Sequence, residues 1–187
     1  MATPHIYNLT PQTGRMIDDE DNMHNVVDKY GSLKVIDPAN SSVHEGTSFT
    51  YSATTSIVSL ATAYFMGRNG AKVGHLIRFV IDADNAPILV EFFEAPTVTA
   101  PGTLQTPLNR NRVLNAAPTM AVYAAPTISA DGTRLMVTKI LGANKTIGGS
   151  ELGGEWLLKP STDYIFKVTN SSNQTANVTA AFDWIEY

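Results

Sequence analysis

The segment that most constrains the fold is residues 176–186. There Val178, Ala180, Phe182 and Trp184 alternate with more polar neighbours. A period of two puts those four side chains on one face of an extended strand. A strand with one apolar face needs partner strands and a second apolar layer to cover it. Residues 163–169 repeat the pattern, with Tyr164, Phe166 and Val168 on one face and Lys167 on the other. The polar run 170–175 joins the two.

Further strands follow the same logic. Residues 75–82 place Ile77, Phe79 and Ile81 on one face, and residues 88–94 place Val90 and Phe92 opposite Glu91. The turn formers between them predict a β-hairpin. Residues 119–124 and 134–141 flank a second turn signal at Asp131-Gly132. Many short strands separated by polar turns predict an all-β antiparallel fold, either a two-sheet sandwich or a barrel. No internal repeat is read. Trp156 and Tyr123 lie in strand patterns and read as core.

Residues 1–42 differ, and are read as an N-terminal arm preceding a β domain at 43–187. The arm holds the acid cluster Asp18-Asp19-Glu20-Asp21 and the apolar residues Met16, Ile17, Met23, Val26, Val27 and Tyr30. The roughly helical spacing of the apolar set predicts a short helix, capped by Asp18 or Asp19 and stopping near Gly31. A short helix cannot bury such residues alone. They are therefore the candidate partner interface.

Composition excludes several functions. The 187 residues contain no cysteine, which removes disulfides, thiolate metal sites and a cysteine nucleophile. The net charge is -4 and the 13 basic residues are scattered, so direct nucleic-acid binding is not expected. The tightest basic pair is Arg110 and Arg112. No run is long and apolar enough for a membrane helix. The N-terminus lacks a basic start followed by an apolar run, so synthesis in a cytoplasm is expected. Charged residues make up 16%, against about 25% for an average soluble domain. A weakly charged surface suits a chain packed against other protein.

The search for catalytic chemistry yields nothing. His5, His24, His44 and His75 lie far apart, with no His-x-x-x-His or His-Glu-x-x-His spacing. No serine sits in a nucleophile elbow, and no phosphate-binding glycine loop is present. Asp82 and Asp84 read as turn residues rather than calcium ligands. No enzymatic activity, cofactor or metal is expected.

Several blocks, in order, resemble a family of tailed-bacteriophage virion proteins. They are Val43-His44-Glu45-Gly46-Thr47-Ser48-Phe49, expected to open the β domain, then Phe92-Phe93-Glu94-Ala95-Pro96 and Gly102-Thr103. Next come Asn109-Arg110-Asn111-Arg112 and Gly132-Thr133. Leu158-Lys159-Pro160-Ser161-Thr162-Asp163-Tyr164, Val168-Thr169-Asn170 and Phe182-Asp183-Trp184-Ile185-Glu186-Tyr187 complete the set. The family's usual ending is nearer Trp-Tyr-Glu, a departure from Trp184-Ile185-Glu186. The resemblance implies a jelly-roll-like β-sandwich that decorates, or cements, the phage capsid. It implies the major capsid protein as partner, homotrimers, and a location on the virion surface. The positions carrying it are His44, Glu45, Gly46, Asn109, Asn111, Arg112, Trp184 and Glu186. Other readings are a tail, fibre-base or receptor-binding module, or a carbohydrate-binding sandwich.

Overall fold

The structure is a computed structural model that describes residues 15–17, 23–25, 38–84, 86–114, 116–141 and 155–187. The chain divides into two units, residues 1–41 and 42–187. In the first, β1 (Arg15–Ile17) and β2 (Met23–Asn25) pair antiparallel, with Met16 opposite His24. The helix expected from Asp18 or Asp19 to Gly31 is thus corrected, because Met23 lies in a strand. That expectation rested on local signals, apolar spacing with an acidic cap and a glycine stop, and short isolated helices are marginal in water. Val26, Val27 and Tyr30 lie outside the described residues.

The next element is a helix, α1 (Pro38–Glu45), where the sequence led us to expect the β domain to open at Val43. Proline suits a first helical turn because its missing N–H is not needed there. Gly46, at φ 75°, ends the helix and donates its N–H to the Val43 carbonyl at 3.1 Å.

The strands then run β3 (Ser48–Ile57), β4 (Thr62–Arg68), β5 (Gly74–Ala83), β6 (Ile88–Glu94), β7 (Thr97–Ala100), β8 (Thr103–Leu104) and β9 (Leu108–Asn109). They continue as β10 (Ala121–Ala124), β11 (Thr127–Ala130), β12 (Thr133–Ile140), β13 (Trp156–Leu158), β14 (Asp163–Asn170) and β15 (Ala176–Glu186). A five-stranded sheet has the order β13-β5-β15-β3-β9, and a six-stranded sheet the order β12-β6-β14-β4-β10-β8. β7 and β11 form a separate ribbon. Each ladder is antiparallel.

The two large sheets enclose one apolar core, which makes the fold an all-β sandwich. Val178, Ala180, Phe182 and Trp184 of β15 are buried, as are Tyr164, Phe166 and Val168 of β14. Both faces match the alternation in the sequence. Phe166 joins the layers, with ring centroids 4.9 Å from Phe182, 4.7 Å from Phe79 and 4.4 Å from Phe92. Burying each such side chain contributes roughly 1.5–3 kcal/mol.

The expected hairpin is not formed, and the strands flanking the second turn signal do not pair with each other. β5 and β6 lie in opposite sheets, paired to β15 and β14 respectively. β10 and β12 lie in the same sheet but on opposite sides, with β11 between them in sequence. In β5 the core residue is Leu76, not Ile77. Leu76 pairs with Trp184 and Arg78 with Asp183, so Ile77 is the extra residue of a bulge.

The ribbon also reveals a repeat that the sequence reading missed. Ala95-Pro96-Thr97-Val98-Thr99-Ala100-Pro101-Gly102-Thr103 is echoed by Ala125-Pro126-Thr127-Ile128-Ser129-Ala130-Asp131-Gly132-Thr133. β7 leaves the end of β6 and runs to β8, while β11 leaves the end of β10 and runs to β12. The ribbon therefore crosses the outer face of the six-stranded sheet, over β14 and β4. The two copies are related by a local two-fold axis. Thr99 Oγ1 donates to the Thr127 carbonyl at 3.1 Å, and Ser129 Oγ to the Thr97 carbonyl at 3.2 Å. The Ala95 N–H donates to the Asp163 carbonyl, and the Ala125 N–H to the Tyr64 carbonyl. Even the cations match: Arg68 lies 5.8 Å over Tyr123, and Lys167 lies 5.9 Å over Phe93. Beneath the ribbon, Met66, Phe93 and Ile165 form a second buried cluster, against which Val98 and Ile128 pack.

Candidate functional site: two polar clasps and two clefts

The positions singled out in the sequence fall mostly into two hydrogen-bonded clasps beside Thr47. The first binds the end of α1 to the loop after β9. Asn109, 2% exposed, donates from Nδ2 to the carbonyls of Gly46 at 2.7 Å and Ala116 at 3.0 Å. Its Oδ1 accepts the Asn111 N–H at 2.7 Å. Asn111 donates to the His44 carbonyl at 2.9 Å and accepts the N–H groups of Val113 and Leu114. Arg112 reaches the Asn109 carbonyl at 3.5 Å. His44 takes part through its backbone; its side chain and that of Glu45 are exposed.

The second clasp is built on Glu186, also 2% exposed. Its carboxylate accepts the Thr119 N–H and hydroxyl, the Met120 N–H at 2.9 Å and the Trp184 indole N–H at 3.1 Å. A buried charge needs such a set of donors to offset the loss of water. The last strand is thereby fixed to the segment that opens β10. The two clasps adjoin: Phe49 pairs with Asn109 on one side and with Trp184 on the other, where the rings stack at 5.8 Å.

Two further buried asparagines, not singled out as site positions, do the same job. Asn69 donates to the carbonyls of Lys72, Leu158 and Lys159. Asn170 donates to those of Ile57, Val58 and Gln174, and accepts from Ser172. The signal for them was an asparagine at the end of a strand next to polar turn residues, where an amide can satisfy backbone groups that leave the ladder.

Open clefts lie where each Ala-Pro corner meets the sheet. One, of about 600 Å³, is lined by Ala95, Pro96, Thr119, Ser161 and the Arg68–Asp163 pair. That pair is bidentate, with both bonds at 2.8 Å, and it raises the Arg68 pKa. The other, of about 560 Å³, is lined by Ala125, Pro126, Tyr51, Thr55, Ala63 and Gln105, among others. Neither cleft is lined by a histidine. Among the described residues no three His, Asp or Glu side chains gather to hold a metal.

Nearby ion pairs tie strands and loops. Lys159 bonds Glu94 at 2.6 Å, which holds the Glu94 carboxyl below its ordinary value. Tyr164 donates to Glu94 at 3.1 Å and accepts the Lys159 N–H at 2.8 Å. Burial, followed by the Glu94 carboxylate, pushes the Tyr164 phenol up to about 12. His75 bonds Glu155.

Of the arm positions, Met16, Ile17 and Met23 lie in β1 and β2. The chain matches no family model, no curated protein and no solved structure. Fold and site together define an all-β antiparallel sandwich whose singled-out polar residues hold its own backbone.

Proposed function

We propose that the chain is a structural virion protein, which decorates a phage capsid by binding the lattice of the major capsid protein. It acts as a homotrimer on the virion surface and catalyses no reaction. The observation that carries this reading is the use made of the resembling positions. Asn109, Asn111, Trp184 and Glu186 spend their polar atoms on loops and chain ends of the sandwich. Side chains committed in this way serve a rigid body, and a clamp between capsomers needs rigidity and many copies rather than a reactive group. The weak surface charge also suits extended protein contact.

The arm supplies part of the grip in this reading. Its apolar residues need a surface to cover them, and methionine adapts to irregular surfaces. The decisive experiment is electron microscopy of native particles carrying a labelled copy, with a parallel binding assay on purified capsids. Label on the capsid surface, and weaker binding after deletion of residues 1–30, is the expected result. Label on the tail or fibres, or none on particles, overturns the proposal.

A further inference from the structure

The outer edge of β3 is the longest uncharged strand edge among the described residues. β15 pairs with β3 along its whole length, but β9 covers only Phe49 and Thr50 on the other side. Among the described residues, nothing pairs there with residues 51–57. Their sequence, Tyr-Ser-Ala-Thr-Thr-Ser-Ile, has no charge and no proline, and its register to β15 is unbroken. Natural sheets usually protect such an edge. The other open edges are charged or short: β12 carries Arg134 and Lys139, β5 beyond its pairing with β13 carries Arg78 and Asp82, and β7, β8, β9, β11 and β13 have only two to four residues.

The direction of the free groups follows from the neighbouring bonds. The Thr47 carbonyl accepts from Glu186 of β15, and the Ser48 carbonyl accepts from Arg110 on the β9 side. Antiparallel strands alternate in this respect. Ser52, Thr54 and Ser56 therefore aim their N–H and C=O groups at the open side. Their side chains are exposed, whereas Ala53 and Thr55 are half-buried beside the 560 Å³ cleft.

We infer that this edge pairs with the same edge of a second copy across a two-fold axis at Thr54. The edge is complementary to itself. In that register Thr54 meets Thr54 and Ser52 meets Ser56 on the outer face, while Ala53 meets Thr55 and Tyr51 meets Ile57 on the inner. Each outward pair is one in which both residues have backbone groups free to bond. Thr54 already shares a hydrogen bond with Thr179 at 3.0 Å, and Ser56 donates to Asn177 at 2.6 Å. A second β3 extends that hydroxyl ladder by the same cross-strand contacts. A two-fold contact of this kind is isologous and closes on itself. Within the capsid reading it would join one trimer to the next, but it does not depend on that reading.

The test uses the full chain. Because the chain has no cysteine, Thr54→Cys introduces a single thiol, placed about 5.5 Å (Cα to Cα) from its mate, within disulfide reach. Mild oxidation should give a disulfide-linked dimer, while Thr179→Cys, exposed on the adjoining strand, should give none above background. In sedimentation at rising concentration, the native chain should show an association step that Thr54→Lys loses, because like charges would then face each other. Equal cross-linking of the two cysteine variants, or an unchanged association step in Thr54→Lys, overturns the inference. A chain lacking that step whose Ser52, Thr54 and Ser56 amides exchange slowly also overturns it, since the edge is then filled from within its own chain.

Discussion

The indole N–H of Trp184 donates to Oε1 of Glu186, two residues further along β15, at 3.1 Å. Both side chains are buried, so the end of β15 carries its own buried acceptor. The same carboxylate holds Thr119 and Met120. Glu186→Ala should leave these donors unmet and cost about 3 kcal/mol, measured by denaturant unfolding. Glu186→Gln should recover part of the loss, since an amide oxygen still accepts. A midpoint unchanged in both variants would show that the clasp is not holding the fold.

Phe182 joins the two sheets, stacking 4.9 Å from Phe166 and 6.4 Å from Tyr51. Phe182→Ala should cost about 3–5 kcal/mol, because the cavity adds to the lost burial. Thermal or chemical unfolding reads this directly, and a native melting temperature would refute the assignment of faces.

Gly102 and Gly132 are equivalent about the local two-fold axis, at φ 83° and 86°. A Cβ on Gly102 would lie 2.3 Å from the Ala124 carbonyl oxygen, and one on Gly132 2.3 Å from that of Glu94. Gly102→Ala and Gly132→Ala should each destabilise by about 2–3 kcal/mol, and by similar amounts. Hydrogen exchange should locate the loss in the ribbon and in the Met66–Phe93–Ile165 cluster beneath it. A tolerated alanine at one glycine and not the other would break the equivalence of the two corners.

Tyr164, Glu94 and Lys159 make stability depend on pH at both extremes. The folded phenol of Tyr164 titrates at about 12 rather than 10.0, so the folded state keeps its proton longer than the unfolded chain. Its contribution is complete below pH 10 and is lost as pH rises through about 12. Glu94 behaves oppositely. Its folded pKa lies below the ordinary 4.5, so its contribution is present above 4.5 and lost as pH falls through the depressed value. Melting temperature against pH should fall on both sides, and Tyr164→Phe should flatten the alkaline limb. The acid limb is the smaller effect, because Lys159 is exposed and its ion pair is screened by solvent.

The alternation in β14 and β15 was legible in the sequence, because a strand's side-chain period depends only on its own backbone. Val178 to Trp184 and Tyr164 to Val168 face the core as that period requires. The all-β class followed from the same rule repeated along the chain. Partner choice did not follow. Whether β6 pairs with β5 or with β14 depends on which apolar faces close over each other, and those contacts join residues far apart in sequence. Ile77 lost its place to Leu76 through a bulge that only the β15 register creates. In the first unit, spacing suggested a helix across Met23, whereas pairing with β1 made it a strand.

The clasp residues show the same boundary. Asn109, Asn111 and Glu186 stood out as polar positions in an ordered set of blocks, but the sequence says nothing of what they bond. Their partners lie on other elements, and only folding brings an α1 carbonyl to Asn109 or the Thr119 N–H to Glu186. The repeated Ala-Pro-Thr and Gly-Thr corners were present in the letters, yet of these only Asp131-Gly132 was read as a turn and no repeat was read. They became a two-fold ribbon once the sheet placed β6 and β10 on opposite sides of β14 and β4. Local chemistry set which faces are apolar and where the chain can turn. The assignment of neighbours belonged to tertiary structure, because burial and backbone hydrogen bonding must be satisfied for the whole molecule at once.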